Sequence, residues 1–303
     1  MISRLASLLL LAVPGGVATL AAGGEETFST VTVAWSSEAR GPGVCIDRGT
    51  WFVSVIPASV PLSGLTETTL HSGENSVRAK VLFLDGPQRL CLLETSTILP
   101  GLAPVTLASS GGFKAGQKLN CLSNRSACLT MLAGKDWSHR GEQFLMPMLR
   151  VRVADPEEFC AAGTPLVCDE GTLVGILTGK NDEDKESGEV HAIPVSRIRK
   201  LVEDMKAHQR SGPVRVGLVF HNQSSTPEIV EVKPGSPAEK SGLEVGDVIL
   251  SMDGVETDSL EDLVEVIHSL PAGAETPVKV LRRLTEKNLT ITPEFVEVSA
   301  SAR

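Results

Sequence analysis

The chain has 303 residues, 42% of them apolar, which is enough for two packed domains and too apolar for wholesale disorder. Its formal net charge of -9 argues against nucleic acid as a partner, because phosphate binding needs clustered Lys and Arg.

The first stretch reads as a targeting signal rather than part of the fold. Arg4 precedes an apolar run Leu5–Val13, small residues Ala18–Gly24 and the acidic pair Glu25-Glu26. That order predicts a secretory signal peptide over 1–22, cleaved around Ala21 to Gly23, and hence an exported, periplasmic or extracellular protein. The alternative is an uncleaved anchor, which Pro14-Gly15-Gly16 leaves short for a membrane span. Export permits disulfides. Cys45, Cys91, Cys121, Cys128, Cys160 and Cys168 allow fifteen full pairings, and Cys121/Cys128 and Cys160/Cys168 close the shortest loops. The other reading is buried thiols, with Cys91 inside Leu90–Leu93 as the example. The cysteines form no CxxC and do not fall near paired histidines, so no metal is expected.

From residue 27 to 195 the chain is a series of short β-prone runs broken by Gly, Pro, Ser and Asp. They include Thr30–Trp35, Gly43–Ile46, Trp51–Ile56, Arg78–Leu84, Leu90–Glu94, Lys118–Leu122, Met146–Val153, Pro165–Cys168 and Leu173–Thr178. Strands at this spacing predict a sandwich or barrel, and the length suits two small barrels. Asn181–Glu189 reads as a solvated charged loop rather than a metal site. His191-Ala-Ile-Pro-Val195 then leads into a linker, 196–212, whose Ile198, Leu201, Val202 and Met205 have helical spacing.

The unit 213–296 carries the most specific signal. Val232-Lys-Pro-Gly-Ser-Pro-Ala is followed by Gly242-Leu243, Gly246-Asp247, Ile249-Leu250 and Gly254, with a helix predicted over Ser259–Leu270. Gly235 and Gly242 permit turns, Pro237 and Ala238 start a short helix, and Asp247 is placed to accept from turn amides. This pattern closely resembles a bacterial-type PDZ domain, a small α+β fold. The resemblance implies capture of an extended peptide C-terminus along a strand edge. It assigns the carboxylate-binding turn to Arg215, Val216, Gly217, Leu218 and Val219. The other groove wall falls on the helix, at Leu263 and Ile267.

The stretch Phe159-Cys-Ala-Ala-Gly-Thr-Pro-Leu-Val167 resembles the nucleophile loop of trypsin-like serine proteases of the HtrA/Deg family. Gly163, Pro165, Leu166 and Val167 match that pattern, and the nucleophile position falls on Ala162. Gly41-Pro-Gly-Val-Cys-Ile-Asp47 and Trp51–Ser59 resemble the segment carrying the family's histidine, whose place is Pro57, or Ser59 after a two-residue slip. Val81–Leu93 resembles the segment carrying the family's aspartate, whose place is Arg89. The family's oxyanion amides would be those of Cys160 and Ala162.

The resemblance therefore implies a mostly β chain, a trypsin-like double β-barrel followed by a PDZ domain, with all three triad positions replaced. The function that follows is non-catalytic binding of peptide C-termini or unfolded proteins, in a scaffold or regulator of active HtrA-like proteases. It needs no cofactor, and it is compatible with a homo-oligomer. Two alternatives stand beside it. One is a serine or cysteine endopeptidase with another catalytic set, such as Cys160 with His191. The other is a structural envelope protein.

Overall fold

The computed structural model describes residues 19–20, 26–27, 30–47, 49–109, 113–123, 126–139, 145–155, 159–180, 189–221 and 226–296. The expected signal peptide lies outside these residues apart from Thr19–Leu20, as does most of the acidic loop after Lys180. A two-residue strand β1 (Thr19–Leu20) pairs with β2 (Glu26–Thr27). Among the described residues no helix is long and apolar enough to cross a membrane.

Two closed antiparallel barrels follow. The first contains β3 (Thr30–Ala34), β4 (Arg40–Asp47), β5 (Trp51–Val55), β6 (Glu67–Ser72), β7 (Asn75–Leu84) and β8 (Leu90–Thr95), in the order β3-β4-β5-β8-β7-β6. The second contains β9 (Lys118–Ser123), β10 (Ser126–His139), β11 (Leu145–Val153), β12 (Pro165–Val167), β13 (Leu173–Leu177) and β14 (Glu189–Pro194), in the order β10-β11-β14-β13-β12-β9.

The continuous apolar runs in the sequence mark strands with both faces covered. On β8, Cys91 and Leu93 fill the first barrel, while Leu90 and Leu92 join an apolar layer that also takes Val44, Val53, Leu173, Ile176 and Ile193. That layer is the seam between the barrels. Two strands escape a pattern-based reading. β6 buries only Thr68 and Leu70, and β10 leaves Leu129 and Met131 outward while a bulge between Leu132 and Gly134 breaks its register.

None of the six cysteines is joined in a disulfide. Of the two readings of the cysteines, the buried-thiol one is the arrangement seen here. Cys121 and Cys128 face each other in register across β9 and β10 without bonding, and both pack in the second barrel's core. Cys91 lies wholly inside the first barrel. Burial pushes the Cys121 thiol up to about 12, which keeps it protonated and apolar in character.

Helix α1 (Val195–His208) leaves the second barrel directly from β14. Its apolar side, with Ile198, Leu201 and Met205, packs on the seam layer. The PDZ unit follows as β15 (Val214–Arg215), β16 (Leu218–Phe220), β17 (Ile229–Val232), α2 (Pro237–Lys240), β18 (Val248–Met252), β19 (Val255–Glu256), α3 (Leu260–Ser269), β20 (Thr276–Arg282), β21 (Thr285–Ile291) and β22 (Glu294–Phe295). Its short helix has Ser236 as N-cap, accepting from Glu239 N, with Pro237 in the first turn. Helix α3 is capped the same way by Ser259.

The signature Asp247 is fully buried. Arg282 reaches it through Nε at 2.6 Å and Nη2 at 2.7 Å, and the Glu244 amide donates to it at 3.0 Å. Burial alone would raise its pKa, but the Arg282 hydrogen bonds and charge, with the amide, hold it below the ordinary 3.8. A carboxylate with a depressed folded pKa stabilises the fold above its unfolded value, and that contribution is lost as pH falls through the folded one. Far-ultraviolet circular dichroism of urea unfolding should therefore show stability falling below about pH 4. Asp247→Asn should cost about 2 kcal/mol at pH 7 and flatten that acid limb. An acid limb unchanged by the substitution would contradict the assignment.

Candidate functional site

Two places in the fold are candidates: the cleft where the barrels meet, and the edge of the PDZ sheet.

In the cleft, the turn before β12 closes against the first barrel. Gly163 has φ +98°, and a Cβ there would lie 2.2 Å from the Pro42 carbonyl oxygen. Gly41 is needed for the same reason, since a Cβ on it would lie 2.7 Å from the Ala162 carbonyl oxygen. The Ala162 methyl is 8% exposed and belongs to the apolar seam, with Gly179 close on its other side. Ala162 thus supplies packing and no atom able to attack a carbonyl.

Arg89 and Pro57 meet within the first barrel, beside the paired strands β5 and β8. Arg89 has φ +56°, and its side chain donates through Nε to the Ile56 carbonyl at 2.8 Å and through Nη2 to the Pro57 carbonyl at 2.7 Å and to that of Val60. The guanidinium therefore ties down the segment Ile56–Val60, where the resemblance would put a histidine base. Ser59, the slipped alternative, is exposed on that segment. None of Pro57, Arg89 and Ala162 can take a proton from a hydroxyl. Cys160 packs in the core cluster of the second barrel with Val190 and Ala192. Side chains alternate along a strand, so His191, between those two, points to the opposite face of β14 from the one Cys160 packs on.

At the PDZ edge the geometry suits an incoming chain end. Gly217 has φ +84°, and any Cβ would fall 2.1 Å from the Ser236 Cβ. The Val216 carbonyl accepts from Ala238 N and the Gly217 carbonyl from Lys233 N, both at 2.9 Å. In a planar trans peptide the N–H points opposite to the C=O. The amides of Gly217 and Leu218 are thereby turned away from α2 and β17, the orientation that a nest for an anion requires. β16 pairs with β17 on one side, and no second strand neighbours it among the described residues. Its other edge is available for strand addition.

The charge around this turn is shared. Arg215 and Lys240 both bind Glu294, at 2.9 and 2.7 Å, which leaves one excess positive charge beside the nest. On α3, Leu263 is fully buried in the PDZ core, so it backs the groove wall rather than lining it. Ile267 is half-buried and faces a cavity shared with the first barrel. Leu260 and Val264, one turn apart and half-buried, are the α3 positions that sequence reasoning did not select. His268 is half-buried against the linker helix, where its carbonyl accepts from Arg197 Nη1 at 2.7 Å.

Comparison with known proteins agrees with this architecture. Residues 214–292 match the PDZ domain family. The serine endoprotease DegS of Haemophilus influenzae is 32% identical over 127 residues, which are 40% of this chain and 37% of that protein. The serine protease Do-like HtrB of Bacillus subtilis is 26% identical over 151 residues, 43% of this chain and 33% of that protein. The aligned part thus spans about a third of the length of these curated relatives. Among solved structures, the HtrA-type protease AlgW with a tripeptide superposes with a TM-score of 0.55 at 17% identity, covering 90% of this chain and 95% of that one. With the two closed barrels and the PDZ match, these likenesses identify the chain as an HtrA-like, trypsin-fold protein with a PDZ domain.

Proposed function

We propose that this chain is an exported, non-catalytic HtrA-like protein that binds the C-termini of peptides or unfolded polypeptides through its PDZ domain. The observation that carries the binding half is the Gly217 turn, whose two carbonyls are consumed internally while its amides face outward. A C-terminal carboxylate would accept from those amides, and the preceding residues would extend β16. A solved relative, AlgW, holds a tripeptide, and a PDZ domain supports the same kind of ligand here.

The non-catalytic half rests on the chemistry of three side chains. A methyl at Ala162, a pyrrolidine at Pro57 and a carbonyl-bound guanidinium at Arg89 offer no nucleophile, base or orienting carboxylate. Losing the serine or histidine of such a triad costs roughly 10⁶-fold in kcat. Regulation of active HtrA-like proteases by this chain, and its self-association, are the roles left to a protein that binds without cutting.

Two measurements test the reading. Fluorescence polarisation with a labelled peptide ending in a free apolar residue should give saturable binding. Amidating that terminus should weaken it roughly 10- to 100-fold, the worth of a charge-assisted hydrogen bond or two. Gly217→Val should abolish binding while leaving the barrels folded, and equal affinity for the amidated peptide would count against carboxylate capture. For catalysis, casein turnover should be absent in the parent and in Ala162→Ser alike. Cleavage by the parent would overturn the non-catalytic reading.

A further inference from the structure

A cavity of about 550 Å³ opens where the end of the linker meets α2 and β21 of the PDZ unit. Its floor is apolar, with Pro237, Ala272 and Pro293 buried and the Phe295 ring half-buried. It shares no residue with β16 or α3, which border the peptide groove, so it is a different space.

The donors stand on its rim, within reach of solvent. Arg210, exposed just past α1, has its guanidinium carbon 4.3 Å from the centre of the Phe295 ring, a contact that holds the fork in place. Among the described residues no carboxylate or carbonyl accepts from that guanidinium, so its N–H donors are open to a ligand. Lys240, 62% exposed, gives one of its ammonium hydrogens to Glu294 at 2.7 Å and keeps the others. The hydroxyls of Ser241, Thr290 and Thr292 line the same space. His208 is turned to the Ala272 carbonyl, which its Nε2 meets at 2.8 Å. Glu294 is the one acid among the described residues of the wall, and Lys240 and Arg215 already share it. Arg210, Arg215 and Lys240 against one carboxylate leave a local excess of two positive charges, in a chain whose net charge is -9.

A dianion answers that excess better than a monoanion. A phosphate monoester carries about −1.5 to −2 charges at neutral pH and offers three acceptor oxygens to a guanidinium fork and an ammonium. The volume lies within the roughly 300–1,000 Å³ of ligand sites, which leaves room for a body attached to the phosphate. What remains on the wall to meet that body is hydroxyls, which both donate and accept, above an aromatic ring and two prolines.

We infer that this cavity binds a small phosphorylated sugar or polyol. Its phosphate accepts from Arg210 and Lys240, and its hydroxyls pair with Ser241, Thr290 and Thr292. Because Arg210 belongs to the linker and Lys240 to the PDZ unit, the bound molecule ties the two together. It contacts only the folded arrangement, so it raises the melting temperature as its concentration rises above its Kd.

Isothermal titration calorimetry of the full chain with glucose 6-phosphate tests this, with glucose and inorganic phosphate as probes of its two halves. Glucose 6-phosphate should bind once per chain, and each half should bind roughly tenfold more weakly or worse. Arg210→Gln, a change on the exposed rim that leaves the core intact, should weaken glucose 6-phosphate by roughly tenfold or more. Lys287→Gln removes an exposed cation of β21 that lies outside the cavity, and it should leave the affinity unchanged. That pair separates a site from a diffuse positive field. A C-terminal peptide added to saturation should not displace glucose 6-phosphate, so the outcome is independent of peptide capture at Gly217. Absence of saturable binding, equal affinity for inorganic phosphate, unchanged affinity in Arg210→Gln, an equal loss in Lys287→Gln, or displacement by the peptide would each overturn the inference.

Discussion

One buried carboxylate fixes how the two halves of this protein meet. Asp204 is fully buried on the linker helix, and its oxygens take the Lys200 ammonium at 2.6 Å, the Ser211 hydroxyl at 2.9 Å and the Ala272 amide at 2.9 Å. Those partners belong to the helix itself, to the end of the linker and to the PDZ unit. Such a pair adds little net stability over an apolar substitute, because desolvating both ions offsets their attraction. Its effect is positional: removing one partner would strand a charge at a cost of about 3–5 kcal/mol, so alternative arrangements of the PDZ unit are disfavoured. His208 on the Ala272 carbonyl and Arg210 over the Phe295 ring at 4.3 Å reinforce the same seat.

With α1 held there, the apolar layer between the barrels is closed from one side, because Ile198, Leu201 and Met205 complete it. Ala162 belongs to that layer rather than to a water-filled cleft. A hydroxyl at this position would need a partner inside the seam, whereas a methyl needs none. Arg89 follows a similar logic. A cation where a carboxylate would orient an imidazole is a fault only if an imidazole is present. Here it is satisfied by three carbonyls of the loop beside it, so Arg89 acts as a staple for that loop. Ala162 and Arg89 are compatible with each other and with a first barrel that stays folded.

What the sequence discloses and what it hides divide along contact range. The PDZ unit is readable because its signals have local signatures, even where they also reach far: Gly217 sits at a positive-φ turn, Pro237 opens the short helix, and Asp247 accepts from the Glu244 amide as well as from the distant Arg282. The double barrel is readable because strands such as Trp51–Val55 have both faces covered and leave unbroken apolar runs. β6 was hidden because a polar run, Glu67–Ser72, becomes a strand only through pairing with β3 and β7. The role of Arg89 was hidden because its partners lie about thirty residues away in the chain. On α3 the spacing of Leu260, Leu263, Val264 and Ile267 is the same for a core face and a groove face. Only the packing neighbours distinguish Leu263, sunk in the PDZ core, from Ile267, turned toward the first barrel.

That division on α3 also bears on what the groove can select. The helix buries Leu263 and Val266 inward, and its outer surface is engaged by the linker and the second barrel, through Arg197 on the His268 carbonyl and Lys135 on Glu265 at 2.8 Å. A strand laid beside β16 would then find mainly Leu260 and Val264 on the helical side, both aliphatic, with Leu218 and Phe220 on the strand side. Such walls reward apolar side chains and offer no hydrogen bond to distinguish among them. Discrimination would therefore rest on the terminal carboxylate at Gly217 and on shape, which suits recognition of many exposed apolar chain ends better than a single sequence.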